Sequence, residues 1–191
     1  MARSIAVTFD YRCPFAYNGN AAVIAALRAG SDVDFRFTPF SLDQIHVEEG
    51  APPMWERDPS EWGSGVLSLL YGIAVRDTFP ERFFDAHLAL FAARHDHGLQ
   101  LKDEDVLRAA VTEAGLDADA VAEEAHSGRP LKTLATEHTG GATDPAAINS
   151  GYHLAYVIGA GALAVAVVIS MVVLRTPREA SAPNAVPVHA G

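Results

Sequence analysis

Apolar and polar positions follow two different periods near the start of the chain. Ile5-Ala6-Val7-Thr8-Phe9 is an apolar run that predicts a buried strand. Asp10-Tyr11-Arg12 turns the chain, and Pro14 to Ala29 predicts a helix with Ala22, Val23, Ala26 and Leu27 on one face. Pro14 takes the first helical position, where a missing N–H costs nothing, and Gly30 stops the helix. Val33 to Phe40 then sets Val33, Phe35 and Phe37 against Asp34, Arg36 and Thr38, a strand with one face buried. Such a β-α-β unit predicts parallel neighbouring strands with the helix crossing over them.

The period changes again beyond this unit. Ser41 to Ser60 is polar, carries Pro52-Pro53 and predicts a loop, with Trp55 and Trp62 as its anchors. Helical spacing returns near Glu61, with Leu67, Leu70, Tyr71 and Ala74 on one face. Phe83, Phe84, His87, Leu88 and Phe91 form the next face. Lys102-Asp103-Glu104 opens a helix through Ala114, and Asp117 starts another that ends near Gly128. Pro130 to about His138 predicts a last helix with Leu131 and Leu134 inward, and Thr139-Gly140-Gly141 should break it. No internal repeat is present, and no further β-branched alternating run follows His138.

The C-terminal region has another pattern. Leu154 to Leu174 is 21 residues without a charge, enough to cross a hydrocarbon core of about 30 Å. Tyr152 and Tyr156 lie at one end, and Arg175 and Arg178 close the other. The expected division is therefore a domain over 1–139, a linker over 140–151, a transmembrane helix over 152–175 and a disordered tail over 176–191. Ala162, Ala166 and Ser170 recur every fourth residue, a small-residue face suited to helix–helix association. The positive-inside rule places the tail in the cytoplasm, which would send the N-terminal domain outside. Yet Met1-Ala2-Arg3-Ser4 leads into a short strand and not into the apolar core of a secretory leader. A single-pass protein with a cytoplasmic N-terminal domain is the expectation.

Charge and cysteine content narrow the function. Residues 1–151 carry 12 Lys and Arg against 23 Asp and Glu, while the remaining 40 are close to neutral. With no basic patch or stripe, nucleic-acid binding is excluded. One cysteine rules out an intrachain disulfide framework and suits a reducing compartment. His87, His95 and His97 lack the i, i+4 spacing of metal ligands, so no metal site is expected.

Cys13 is the candidate catalytic residue. It stands between a strand and a helix, directly before Pro14, where a thiol faces unpaired amides and the positive end of the helix dipole. Arg12 adds a neighbouring positive charge. Tyr11, Arg12, Pro14 and Phe15 are the expected substrate-binding residues, with Tyr17 and Asn18 a turn further on. Position 16 holds alanine, so no second thiol is available three residues on.

Asp10-Tyr11-Arg12-Cys13-Pro14-Phe15 after a strand, then helix, strand and a long helical stretch, resembles the DsbA family of thioredoxin-fold oxidoreductases. The resemblance extends through Phe40-Ser41-Leu42-Asp43-Gln44 and Phe83-Phe84-Asp85-Ala86-His87-Leu88-Ala89-Leu90-Phe91-Ala92, ending near His138. It implies a thioredoxin-like α/β fold with an all-helical insertion over about 61–128; with the strands absent after His138 and the apolar run at 154–174, the expectation is an incomplete β-α-β unit followed by one transmembrane helix. It also implies thiol–disulfide exchange without a bound cofactor, with a low-molecular-weight thiol such as glutathione or mycothiol as co-substrate. Thiol or disulfide compounds would be one partner and the lipid bilayer, through 154–174, another. Ala16 and the missing cis-proline loop depart from the family. Ser150-Gly151-Tyr152-His153-Leu154-Ala155-Tyr156 and the apolar run after it resemble the last helix of a major facilitator superfamily transporter. The alternatives are an inactive fusion of the two pieces, a small-thiol-dependent isomerase or transferase, and an interaction module.

Overall fold

The computed structural model describes residues 4–142, with side chains through His138. Strand β1 (Ser4–Phe9), helix α1 (Pro14–Arg28) and strand β2 (Asp34–Pro39) form the expected β-α-β unit. The strands are parallel, in register from Ser4 opposite Asp34 to Phe9 opposite Pro39, and make the one sheet among the described residues. A short helix α2 (Leu42–Ile45) follows, then α3 (Ser64–Thr78), α4 (Phe83–His95), α5 (Glu104–Glu113), α6 (Ala118–His126) and α7 (Arg129–Ala142).

Local signals account for most of these boundaries. Asp103 caps α5 by accepting from the Asp105 N–H, and Asp117 caps α6 by accepting from Asp119 and Ala120. Gly30 ends α1 with φ +90°, a conformation that favours glycine. Within the expected loop, Ser41 Oγ accepts from the Gln44 N–H and starts α2, while Trp62 Nε1 donates to the Met54 carbonyl and pins the segment. Two further expectations need correction. Strand β1 is buried only at Phe9, and Ile5 is 45% exposed, because a single neighbouring strand covers it among the described residues. Helix α1 turns Asn20 and Ile24 inward and leaves Ala22 and Ala26 exposed. A buried asparagine shifts the phase that apolar spacing alone predicts.

The core centres on α3. Every residue from Gly65 to Val75 except Leu67 is buried, so this helix is enclosed nearly all round and its amphipathic spacing understates its role. Helix α4 supplies Phe83, Leu90 and Phe91, and α5 and α6 add Leu107, Val111 and Val121. Helix α7 closes the packing through fully buried Leu134. Arg76 on α3 forks onto Glu137 with both contacts at 2.8 Å and also donates to the Phe37 carbonyl, tying α7 and β2 to α3. Helix α7 runs on through Gly140 and Gly141 to Ala142, past the break expected at Thr139. Glycine lowers helix propensity by only about 1 kcal/mol, too little to stop a helix already anchored.

No described helix is long and apolar enough to cross a membrane. The expected linker beyond Ala142, the span at 152–175 and the tail at 176–191 lie outside the described residues.

Gly72 sets how closely α3 approaches the turn after β1. A Cβ there would overlap the Tyr11 hydroxyl and lie 2.7 Å from its Cε2. Gly19 on α1 has open space around the same position. Gly72→Ala should therefore lower unfolding stability by about 1–3 kcal/mol through overpacking. Gly19→Ala should raise it by about 0.5–1 kcal/mol through helix propensity. Denaturant titration of both variants checks the opposite signs.

Candidate active site

Cys13 is the N-cap residue of α1, extended at φ −89° and ψ 112°, and its side chain makes no capping hydrogen bond. Its own N–H donates to the Asp10 carbonyl at 2.9 Å, and its carbonyl accepts from the Tyr17 N–H at 3.0 Å. The thiol is thus held by backbone on both sides, partly open to solvent, with Pro14 opening the helix after it. Phe15 is 85% exposed, a bare aromatic ring two residues from the thiol.

Asp10 builds the turn that delivers Cys13. Its buried carboxylate accepts from the Arg12 N–H at 2.9 Å, an Asx turn, and from the Leu42 N–H at 2.8 Å. The second bond staples the end of β1 to the segment after β2. Burial pushes the Asp10 pKa up, and the two backbone donors and Arg12 act against that shift.

Arg12 does not present a free charge to the thiol. Its Nη2 pairs with Asp43 Oδ1 at 2.8 Å, and its Nε lies 3.7 Å from Asp10 Oδ1. This ion pair sits against the first turn of α3, where Gly63 and Gly65 make room. A Cβ on either glycine would come within 2.7 Å of the Asp43 carboxylate, and one on Gly65 within 2.9 Å of Arg12 Nε. The carboxylate also faces the positive end of the α3 dipole. Arg12, its side chain partly exposed, thereby braces the turn against α2 and α3.

The expectation for Tyr11 is corrected. Expected on the surface of the site, it is fully buried beneath it. Its hydroxyl bonds to His87 Nδ1 at 2.7 Å, its ring packs on Phe91 with centroids 4.8 Å apart, and its carbonyl lies 3.0 Å from His95 Nε2. Tyr17, one turn beyond Cys13, stacks across the rings of both Phe91 and His95, and its hydroxyl donates to Asp96. Asn18 is exposed on α1. The structure therefore brings Cys13, Pro14 and Phe15 together at the surface and places Tyr11 and Arg12 as supports.

His95, Asn20 and Asp43 carry no site role in the sequence reading, and His87 enters it on a helical face and, with His95, as a residue weighed against metal binding. Phe83, His87, Phe91 and His95 recur every fourth residue on α4, and that spacing is the one signal pointing to an inward polar ladder. His87 is fully buried; burial, then the Arg76 charge, lower its pKa to about 3. Among the described residues no cluster of three or more His, Cys, Asp or Glu is placed to hold a metal ion.

Solved structures with a similar fold include DsbA proteins. A DsbA variant from Pseudomonas aeruginosa matches with a TM-score of 0.50 at 15% identity, over 72% of this chain and 64% of that one. The oxidoreductase NmDsbA1 from N. meningitidis matches with a TM-score of 0.53 at 14% identity, over 73% and 64%. The oxidoreductase DsbA from Xylella fastidiosa matches with a TM-score of 0.50 at 17% identity, over 72% and 65%. The fold of the N-terminal part is thus DsbA-like, and the chain spans just under two thirds of each of these structures. Neither a family model nor a curated protein matches any part of the chain, the C-terminal apolar run included.

The buried imidazole has a consequence for acid stability. Folded His87 stays neutral down to about pH 3, whereas an unfolded imidazole takes up a proton near pH 6.5. As pH falls below about 6.5 the unfolded chain gains the proton first, so stability drops by up to about 1.4 kcal/mol per pH unit from this one group. His138, whose pKa is lowered by burial, acts in the same direction. Denaturant midpoints should fall between about pH 7 and about pH 5, with a shallower slope in His87→Gln.

Proposed function

We propose that this chain performs thiol–disulfide exchange as a monothiol, with Cys13 as the attacking group. The observation that carries this reading is the delivery of Cys13, partly exposed at the start of α1, by a turn fixed on both sides in a DsbA-like fold. The Cys13 thiolate attacks one sulfur of a disulfide, forms a mixed disulfide and expels the other sulfur as a thiolate, which takes a proton from water. Ala16 supplies no resolving thiol. A low-molecular-weight thiol then attacks the mixed disulfide, leaves with the substrate sulfur as a new disulfide and returns Cys13 to its starting state. Phe15, with its ring in solvent, is the substrate-facing residue beside the thiol, and Pro14 shapes the rim.

An inactive chain is the second reading, favoured by Ala16 and by the pairing of Arg12 with Asp43. The uncharged run over 154–174 supports tethering to a bilayer, with helix–helix association as its further use and the thiol domain in the cytoplasm. Residues 143–191 serve in this reading as linker, anchor and tail.

Intact-mass spectrometry of the full chain after incubation with glutathione disulfide separates the two readings. Thiol exchange requires one glutathione adduct, absent in Cys13→Ser and removed by excess reduced glutathione. It also requires adduct formation about tenfold or more faster than for an unstructured cysteine peptide. A rate equal to that of the peptide favours the inactive chain.

A further inference from the structure

Resting on the thiol-exchange reading, we propose that His87 is a positioning residue for Cys13, acting through Tyr11 on one side of the thiol and Asn20 on the other. Cys13 has no side-chain hydrogen bond at its cap position, so its placement depends on the turn before it and the helix after it. Both lead to one imidazole. Tyr11 Oη lies 2.7 Å from His87 Nδ1, and Asn20 Oδ1 lies 3.1 Å from His87 Nε2. His87 is fully buried on α4, where its ring also packs edge-on against Phe9, and its hydrogen bonds reach the chain around the thiol through Tyr11 and Asn20.

The direction of each bond follows from the outermost partners. The Asn20 amide nitrogen reaches the Thr8 carbonyl at 3.1 Å and the Ala16 carbonyl at 2.8 Å, and carbonyls only accept. That assigns Nδ2 as the donor and leaves Oδ1 as an acceptor. His87 Nε2 therefore carries the hydrogen and donates to Asn20, and Nδ1 is bare and accepts from the Tyr11 hydroxyl. The chain of bonds is directional and complete, from Tyr11 through His87 and Asn20 to β1 and the first turn of α1. It joins the strand before Cys13, the turn that holds it and the helix after it to one point on α4.

A merely structural role would change stability and leave the folded protein's thiol as reactive as before. A positioning role changes the reactivity of protein that is still folded. The test measures the rate of Cys13 with bis(2-hydroxyethyl) disulfide, at a temperature where circular dichroism shows each variant folded. His87→Phe keeps an aromatic ring and removes both bonds, and should slow the reaction about tenfold. Glutamine supplies one donor and one acceptor, so His87→Gln should recover the rate to within about threefold of wild type. Combining His87→Phe with Tyr11→Phe should add little to His87→Phe alone, because both changes break the same chain of bonds.

The 13C resonance of the labelled Cys13 Cβ reads position independently of turnover. It should be a single line in wild type and should shift or split in His87→Phe. If His87→Phe does not fold, Tyr11→Phe replaces it, removing only the hydroxyl. An unchanged rate and an unchanged line in the folded variant overturn the positioning role. A wild-type rate no faster than that of a cysteine peptide overturns thiol exchange instead, and the resonance then still decides where His87 acts.

Discussion

Three polar side chains buried inside an apolar layer set the terms for the N-terminal half of this protein. An unpaired polar group in such a place costs about 1–3 kcal/mol, so Tyr11, His87 and Asn20 are tolerated only if each finds its partner. Satisfying Asn20 forces α1 to turn it inward, which fixes the rotation of the helix. Satisfying Tyr11 fixes how the turn after β1 lies against α4. A helix packed by apolar residues alone could slide or rotate at small cost. Directional bonds remove that freedom, and the position of Cys13 is what remains when it is gone.

Around this knot the helical block works as a wall. Gly72 admits the Tyr11 ring to the α3 backbone, and Gly63 and Gly65 admit the Arg12–Asp43 pair to the start of the same helix. Helix α3 therefore meets the site turn at two places, through missing side chains in both. Among the described residues the sheet has two strands, too few to hold the strand-to-helix turn alone, and the enclosing helices complete its support.

Elements were more legible than contacts. The strand, helix and strand of the β-α-β unit, the capping aspartates at 103 and 117, and the parallel pairing all follow from local chemistry visible in the residues. The inward face of α1 did not, because hydrophobic spacing places a polar residue outside and Asn20 is inside. Strand β1 is less buried than its apolar run predicts for a related reason: such a run shows that a strand is compatible with burial, whereas cover depends on its neighbours. At the candidate site, the strand-to-helix turn that carries Cys13, Pro14 and Phe15 follows from spacing. Adjacency to a cysteine carries no information about which way a side chain turns: Tyr11 is fully buried, and the partly exposed Arg12 is paired with Asp43. Asp43 and His87 lie 30 and 74 residues from Cys13, and only the fold reveals such distant partners.

Having one sulfur nucleophile and no second thiol also limits what this chain can store. A protein with a pair of thiols can keep two electrons' worth of oxidation inside itself, as an internal bond that carries no trace of its origin. Here no such private state exists. An oxidised disulfide form must be covalently joined to something else, and so it differs from one partner to the next in mass, charge and shape. Under the proposed thiol exchange, each disulfide state of Cys13 would therefore name the partner that made it.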